Sequence, residues 1–287
     1  MEPKLRIASI TDEYSPTDLA LALDTMSRTG MTGAELRLVF GKNIMDLSEE
    51  ELGRAKDMLD AKGIEVISIA SPILKCTLPG APDVDTRFQQ DMFNAKYTIA
   101  DQPALAAHAF KIAKFTGAKI IRVFSYWRTV APEQCTDAIL KALKDLADQA
   151  ADHDLIIGLE NEHACNVATA AEAAKILNAL QHPNLKLVWD PANALCSGED
   201  PFPGGYNLLP KDRIIHVHAK DCHMEGLKPV WGPVGTRAVD WKGQVAALWN
   251  DGYRGWLSLE THWAGPEGNK LEGSTICGWN LRGLAAM

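Results

Sequence analysis

Short apolar segments alternate with amphipathic segments along the whole chain. "LRIASI" (5–10) and "EVISIASP" (65–72) have the length and β-branched content of buried strands. Between them lie segments with apolar residues at helical spacing, such as "SEEELGRAKDMLDAKG" (48–63). This segment begins with Ser48 and Glu51, the pair that forms a capping box. The pattern therefore predicts repeated strand–helix units.

Capping residues predict where several helices begin and end. In the segment 15–30, Ser15 suits the N-cap, Pro16 the first helical position and Gly30 the stop. Thr169 and Glu172 form a second capping-box pattern and predict a helix over 169–180. A last helix is predicted over about 274–284.

Eight predicted strand segments, each followed by a segment of helix length, indicate a parallel sheet. Eight such units in 287 residues favour a single α/β domain, residues 1–287, folded as a closed (β/α)8 barrel. An open doubly wound sheet is the alternative, but no predicted strand is followed by a G-x-G-x-x-G turn. The strand segments are 5–10, 33–40, 65–72, 119–126, 155–162, 185–193, 213–221 and 255–263.

One loop is much longer than the others. It covers residues 73–102, after the third strand, and contains Phe88, Phe93 and Tyr97. Long loops in compact domains are often functional lids, and these aromatic rings could cover a bound ligand. A surface excursion without a role in binding explains the loop equally well.

Composition narrows the class of protein. The chain is 46% hydrophobic and 23% charged, as in soluble globular proteins. Its net charge of −8 disfavours general nucleic-acid binding, and no apolar run has the length of a membrane span. The start lacks the apolar core of a signal peptide. Six cysteines without a C-x-x-C pair indicate reduced thiols, so a cytoplasmic protein is expected.

Polar side chains stand at the ends of four successive predicted strands: Glu160, Asp190, His218 and Glu260. Barrel active sites lie at this end of the strands, where neighbouring side chains converge. Each residue alone is as well explained by a structural hydrogen bond. Three carboxylates together need a compensating cation, and with an imidazole they suit Mn²⁺ or Mg²⁺, while Co²⁺ and Zn²⁺ also fit.

Further polar residues near the strand ends are candidates for contacting a substrate. For Glu162 and His163 the alternative is that one of them only caps the next helix, and for Lys220 it is an ion pair with Asp221. Arg237 lies between strands seven and eight, where barrels often bind phosphate. The predicted substrate-binding residues are Glu162, His163, Asn193, Lys220 and Arg237; Glu35, Arg122 and His262 stand at other strand ends.

Four segments carry a resemblance to a known family: "LENEHACNVATAAEAAKIL", "VWDPANA", "RIIHVHAKD" and "GYRGWLSLETHW". They resemble the sugar phosphate isomerase/epimerase superfamily, the xylose isomerase-like TIM barrels of the AP endonuclease family 2 type. The resemblance covers about 156–263, and "GAELR" (33–37) also matches. It implies that Glu160, Asp190, His218 and Glu260 bind the metal and that His216 supports them.

The resemblance also implies a reaction. Ketose epimerases and isomerases of this superfamily move a proton next to a carbonyl through an enediolate, and Glu160 and Glu260 match the two glutamates that do so. The leading expectation is a metal-dependent isomerase or epimerase of a ketose or polyol, in carbohydrate metabolism. The alternative is a lyase, dehydrating a keto-inositol or eliminating from a keto-glycoside. Dimers or tetramers are common in the superfamily.

Two further classes are less favoured. A phosphodiesterase of the endonuclease IV type needs several more histidines, whereas Asn193 stands where some family members have one. The acidity of the chain also argues against a nucleic-acid substrate. A metal-free sugar-binding barrel would use the same cavity without proton transfer. Metal content and proton exchange distinguish these classes.

Overall fold

The computed structural model describes residues 4–88 and 96–287. Within these residues, eight parallel strands form a closed barrel. Each strand pairs with its sequence neighbours, and the first closes onto the last, which confirms the predicted (β/α)8 barrel. The strands are β1 Arg6–Ile10, β2 Gly33–Leu36, β3 Glu65–Ile73, β4 Ile120–Val123, β5 Ile156–Glu160, β6 Leu185–Trp189, β7 Ile214–Ala219 and β8 Trp256–Leu259.

Helices connect the strands and pack their apolar faces on the barrel. All eight strands are almost entirely buried, as expected for a parallel sheet covered by helices. The α-helices of six or more residues are α1 Leu19–Thr29, α2 Glu49–Ala61, α3 Gln102–Thr116, α4 Thr136–Ala151, α5 Ala170–Ala179, α6 Pro191–Cys196, α7 Trp241–Asn250 and α8 Lys270–Ala285.

Capping interactions confirm most predicted helix ends and correct one. Both predicted capping boxes form, at the starts of α2 and α5. The predicted start of α1 at Ser15 is wrong: Asp18 is the N-cap, and its carboxylate accepts a hydrogen bond from Leu21 N at 3.0 Å. Ser15 Oγ instead accepts from Asp18 N, so it stabilises the turn that precedes the helix. Gly30 ends α1 with a φ of 85°, as predicted.

Two antiparallel hairpins follow barrel strands, and neither is predicted from the sequence. Leu38–Val39 pairs with Lys42–Asn43 after β2, and Asp221–Glu225 pairs with Lys228–Gly232 after β7. The second hairpin, called the β7 hairpin below, lies at the carboxyl end of the barrel. The final helix also begins earlier than predicted, at Lys270.

The predicted lid loop is described only in part. Phe93 lies outside the described residues, and Phe88 borders a cavity of about 570 Å³. Tyr97 points elsewhere, since its hydroxyl donates to Asp46 at 2.8 Å. The lid therefore stays a prediction. All six cysteines are free thiols, as predicted. No helix among the described residues is long and apolar enough to span a membrane.

Close packing inside the barrel gives a first testable prediction. A Cβ at Gly33 would lie 2.8 Å from the Trp256 ring, which is itself buried. We expect Gly33→Ala to lower the free energy of unfolding by about 1–3 kcal/mol, because the indole must shift. Gly53→Ala is the control: it lies inside α2 with no atom near the added methyl, and we expect a gain of roughly 0.5–1 kcal/mol. Urea unfolding of both variants measures the contrast, and equal losses would contradict it.

Candidate active site

The four side chains predicted to bind a metal meet at the carboxyl end of the barrel. One ligand atom from each of Glu160, Asp190, His218 and Glu260 lies within 4.8 Å of the others. Glu160 ends β5, Asp190 follows β6, His218 lies in β7 and Glu260 follows β8. All four are buried. We call these residues the four-residue cluster.

Each of the two glutamates in the cluster accepts a hydrogen bond from one arginine through one of its carboxylate oxygens. Arg37 donates to Glu260 Oε1 at 2.8 Å, and Arg122 donates to Glu160 Oε2 at 3.1 Å. The other two oxygens face His218: its Nδ1 lies 3.0 Å from Glu160 Oε1 and 3.2 Å from Glu260 Oε2. Each glutamate is thus fixed from outside the cluster and presents one oxygen to its centre.

His218 is oriented by a carboxylate on the opposite side of its ring. Its Nε2 lies 3.1 Å from Glu35 Oε1, which also contacts His216 Nε2 at 2.9 Å and accepts from Ser258 Oγ. A proton on Nε2 would leave the Nδ1 lone pair directed at Glu160 and Glu260, as in many carboxylate–histidine–metal arrangements. His216 is therefore a supporting residue, as the resemblance implies.

Asp190 combines a structural and an electrostatic role. Its Oδ1 caps α6 by accepting from Asn193 N at 2.9 Å. Lys220 Nζ lies 2.8 Å from its Oδ2, yet no hydrogen bond of acceptable geometry within the described residues reaches this buried oxygen. Burial, together with Glu160 and Glu260, raises the pKa of Asp190 to about 6, against the lowering effect of Lys220. An oxygen in this position suits a bound cation.

Cationic side chains compensate part of the negative charge of the three carboxylates. The sequence argument had attributed this compensation to a metal ion alone. Arg37, Arg122 and Lys220 all contact the cluster, and Lys220 Nζ also donates to Glu260 Oε2 at 3.0 Å. Burial alone would raise the pKa of Glu260, but Lys220, His218 and Arg37 hold this pKa well below its usual range. The donor set of three carboxylates and one imidazole nevertheless fits a divalent ion of the Mn²⁺, Mg²⁺ or Zn²⁺ type.

A cavity of about 570 Å³ opens beside the cluster. Glu260 borders it, whereas the other three members of the cluster lie deeper. The β7 hairpin forms one wall, with the Trp231 ring 4.7 Å from the His262 ring between centroids. Phe88 lies near His163 on another wall, with ring centroids 6.2 Å apart. The size and mixed polar and aromatic lining are typical of a small-molecule site.

Two of the predicted substrate-binding residues border this cavity. Glu162 and His163 form a pair, with Glu162 Oε1 2.9 Å from His163 Nδ1. Burial lowers the pKa of His163, but the Glu162 carboxylate outweighs it, so the pKa is raised. Asn193 is fully buried, and its Oδ1 lies 2.8 Å from His163 Nδ1. Its Nδ2 donates to the backbone oxygen of Asn161. Its position supports His163 rather than a substrate.

The remaining two predicted residues occupy different surroundings. Lys220 is fully buried between Asp190 and Glu260, so it contacts two members of the four-residue cluster. The alternative ion pair with Asp221 does not form, because Asp221 accepts backbone N–H groups from Gly235, Thr236, Arg237 and Val239. Arg237 lies exposed on that loop, and it is not one of the described residues that border the cavity.

Sequence reasoning gave no role to Arg37 and Lys75. Arg37 pairs with Asp12, Glu13 and Glu260. It stands two positions after Glu35, so strand alternation alone places both side chains on the inner face. Lys75 is buried in the cavity wall, with Nζ 4.4 Å from the Phe124 ring centroid and 3.7 Å from Glu162 Oε2. Its place in a long loop offered no signal.

Metal binding should release a proton from His218. Burial lowers the pKa of His218, but Glu35, Glu160 and Glu260 raise it well above its usual value, so Nδ1 is protonated at neutral pH without metal. We expect about one proton released per ion bound, and affinity that rises with pH. A pH indicator in weak buffer measures the release during titration with Mn²⁺ or Zn²⁺. His182→Ala, at a half-buried surface histidine, should leave it unchanged; binding without release would contradict the protonated state.

The chain belongs to the xylose isomerase-like TIM barrel family, whose model matches residues 23–276. Among curated proteins, an inosose dehydratase from Lacticaseibacillus casei is 25% identical over 151 residues, which are 47% of this chain and 50% of that protein. The chain thus matches about half the length of this relative. Proteins similar to this chain thus include an enzyme named as a dehydratase.

Solved structures of similar proteins support the fold. A protein named IOLI with a bound zinc atom has a TM-score of 0.73 and 17% identity, covering 98% of each chain. A D-allulose 3-epimerase from Methylomonas sp. in complex with D-allulose has a TM-score of 0.67 and 20% identity, covering 99% of this chain and 96% of that chain. At these identities the likeness concerns the barrel itself.

Proposed function

We propose that the protein is a divalent-metal-dependent isomerase or epimerase of a ketose or related polyol. One observation carries the proposal: the four-residue cluster, with three carboxylates and one imidazole, lies directly beside a cavity of about 570 Å³. Zinc in the related IOLI protein and D-allulose in the related epimerase support the metal and the substrate class. A small sugar fits a cavity of this size.

The side chains divide the work between binding and proton transfer. When bound by the four-residue cluster, a divalent ion would act as a Lewis acid that polarises the carbonyl of the sugar and stabilises developing negative charge. Glu160, Asp190 and His218 lie deepest and serve as ligands. Glu260 borders the cavity and is ionised, as a base must be, so we assign the first proton transfer to it. Glu160 is the second glutamate of the proposed proton path.

The cavity walls supply the contacts that orient a sugar. Trp231 and Phe88 offer ring faces for the apolar face of a sugar. Glu162 and His163, which lie near Phe88, offer hydrogen bonds to the hydroxyl groups of the sugar. Lys220 is fixed against Asp190 and Glu260, where its charge would stabilise a developing enolate oxygen.

A lyase that removes water from a keto-inositol is the second candidate. It is favoured by the match to an inosose dehydratase over about half of that protein's length. Isomerisation and dehydration begin with the same proton abstraction. Dehydration also needs an acid that protonates the departing hydroxyl, and His163, whose pKa Glu162 raises against the effect of burial, borders the cavity in a position to do so.

A panel of ketoses and keto-inositols in D₂O tests both candidates. The metal-loaded protein is incubated with each compound and followed by NMR and mass spectrometry. Deuterium incorporation with an isomeric product supports the isomerase or epimerase, and a product lighter by one water supports the lyase. Asp190→Ala is the matched inactive variant. Absence of exchange and of product across the panel, with metal bound, would contradict both proposals.

A further inference from the structure

Two of the six cysteines lie in contact at the edge of the cavity. Cys196 Sγ and Cys222 Sγ are 3.8 Å apart, although the residues are 26 positions apart in the chain. Cys196 is half-buried and borders the cavity, while Cys222 is fully buried behind it. Other cysteines have different neighbours: Cys135 contacts the Thr129 hydroxyl and Cys277 that of Thr261.

The two thiols belong to segments that also carry the cluster. Cys196 is the last residue of α6, the helix that Asp190 caps and that carries Asn193. Cys222 lies in the first strand of the β7 hairpin, two residues after Lys220. Lys220 Nζ and Asp190 Oδ2 already link these segments at 2.8 Å. The sulfur pair is a second contact between them, and no step of the proposed reaction uses it.

We propose that Cys196 and Cys222 form an oxidation site at which a hydroperoxide converts the two thiols reversibly into a disulfide. The proposal goes beyond the function proposed above and does not depend on the substrate or the reaction. Three observations carry it: the short distance between the sulfurs, the access to one of them from the cavity, and the burial of the other.

The chemistry balances with hydrogen peroxide as the oxidant. Cys196, reached from the cavity, loses its thiol proton as its sulfur attacks one peroxide oxygen; an S–O bond forms, the O–O bond breaks, and the departing hydroxide takes up that proton as water. Cys222 then loses its thiol proton as its sulfur attacks the sulfenic sulfur; the S–S bond forms, the S–O bond breaks, and the departing hydroxide takes up this proton as a second water. Two thiols lose two hydrogens, and one peroxide is reduced to two waters.

Closing this bond acts on the segments that hold the cluster. A disulfide requires sulfurs about 2.05 Å apart, so the present 3.8 Å must be closed by rotation of the two side chains together with any shift of the end of α6 and of the β7 hairpin that the new bond requires. That movement acts on Asp190 through α6 and on Lys220 through the hairpin. We therefore expect the oxidised protein to retain a divalent ion less well than the reduced protein, on the order of tenfold.

Peptide mapping tests the site directly. The full-length protein is treated with hydrogen peroxide, its remaining thiols are alkylated, and the digest is analysed without reduction. The expected result is a linked peptide pair containing Cys196 and Cys222, lighter by two hydrogens than the two thiol peptides and separated by dithiothreitol. Cys196→Ser and Cys222→Ser should each abolish the link, and Cys135→Ser, at a buried thiol beside Thr129, should keep it.

Several outcomes would overturn the proposal. Cys196 oxidised to sulfinic acid without a link, a link between other cysteines, or both thiols still free for alkylation would each exclude this site. Because Cys222 is buried, its variant could fold poorly; the Cys196 variant, at a half-buried position, then decides the question alone. The readout is a covalent bond, so a failure of the proposed sugar reaction leaves it intact.

Discussion

Replacing His218 by alanine is expected to leave the protein unable to retain a divalent metal ion. The imidazole is the single nitrogen donor of the four-residue cluster, and its Nδ1 lies 3.0 Å and 3.2 Å from the inner oxygens of Glu160 and Glu260. Loss of an outer partner of a metal ligand usually costs about 10–100-fold in affinity, so loss of the ligand should cost at least about 100-fold. Asp190→Ala should have the same effect.

Mass spectrometry of metal content after loading with Mn²⁺ or Zn²⁺ and desalting measures this result. The wild type should hold on the order of one ion per chain. His182→Ala is the matched control, because His182 is a half-buried histidine that precedes β6, at the opposite end of that strand from Asp190, and pairs with Asp148. If wild type and His218→Ala hold equal metal, the ion lies elsewhere. If neither protein holds metal, the four-residue cluster is only a structural network of ion pairs with Arg37, Arg122 and Lys220.

The barrel was predictable because its signal repeats. Eight apolar segments of strand length alternate with capped helices, and a parallel barrel is the arrangement that buries all of them. The β7 hairpin escaped prediction since "CHMEGLKPVWG" mixes polar and apolar residues without a clean alternation. Likewise, Ser15 and Asp18 are both residues that favour the N-cap position, and the structure shows that Asp18 is the one that caps α1.

The deepest part of the site was predictable for a similar reason. A polar residue at the end of a buried strand stands out, and four on successive strands must converge in a barrel, as Glu160, Asp190, His218 and Glu260 do. What holds them was harder to predict. Arg37 follows β2 and Arg122 lies in β4, and the sequence showed that both stand near strand ends but not that they pair with the glutamates of the cluster. The sequence therefore overstated the need for a metal to compensate the carboxylates.

Residues outside the strands were predicted less well. Sequence spacing places Asn193 and Arg237 near the carboxyl end of the barrel but cannot say which way a loop side chain points. Asn193 turns inward and supports His163, whereas Arg237 lies exposed beyond the β7 hairpin. In both cases contacts between loops decide the outcome, and such contacts leave no periodic pattern in the sequence.

Glu260→Gln is expected to abolish most proton exchange while the fold remains intact. The amide keeps the shape of the side chain and its contact with Arg37, but it cannot accept a proton as the carboxylate does. Removing a general base typically lowers the rate by about 10²–10⁴-fold. Deuterium incorporation into a responsive ketose or keto-inositol, followed by NMR at saturating metal, measures the loss. Metal content is determined on the same sample.

The control and the metal measurement separate two roles of Glu260. Glu225→Gln changes an exposed glutamate of the β7 hairpin that borders the same cavity, and its exchange rate should stay close to that of the wild type. If Glu260→Gln shows full exchange at saturating metal and loses it only at lower metal concentrations, Glu260 acts only as a ligand, and the proton must pass through another group. Glu162 and His163, which border the cavity as a hydrogen-bonded pair, would then be the residues to replace next.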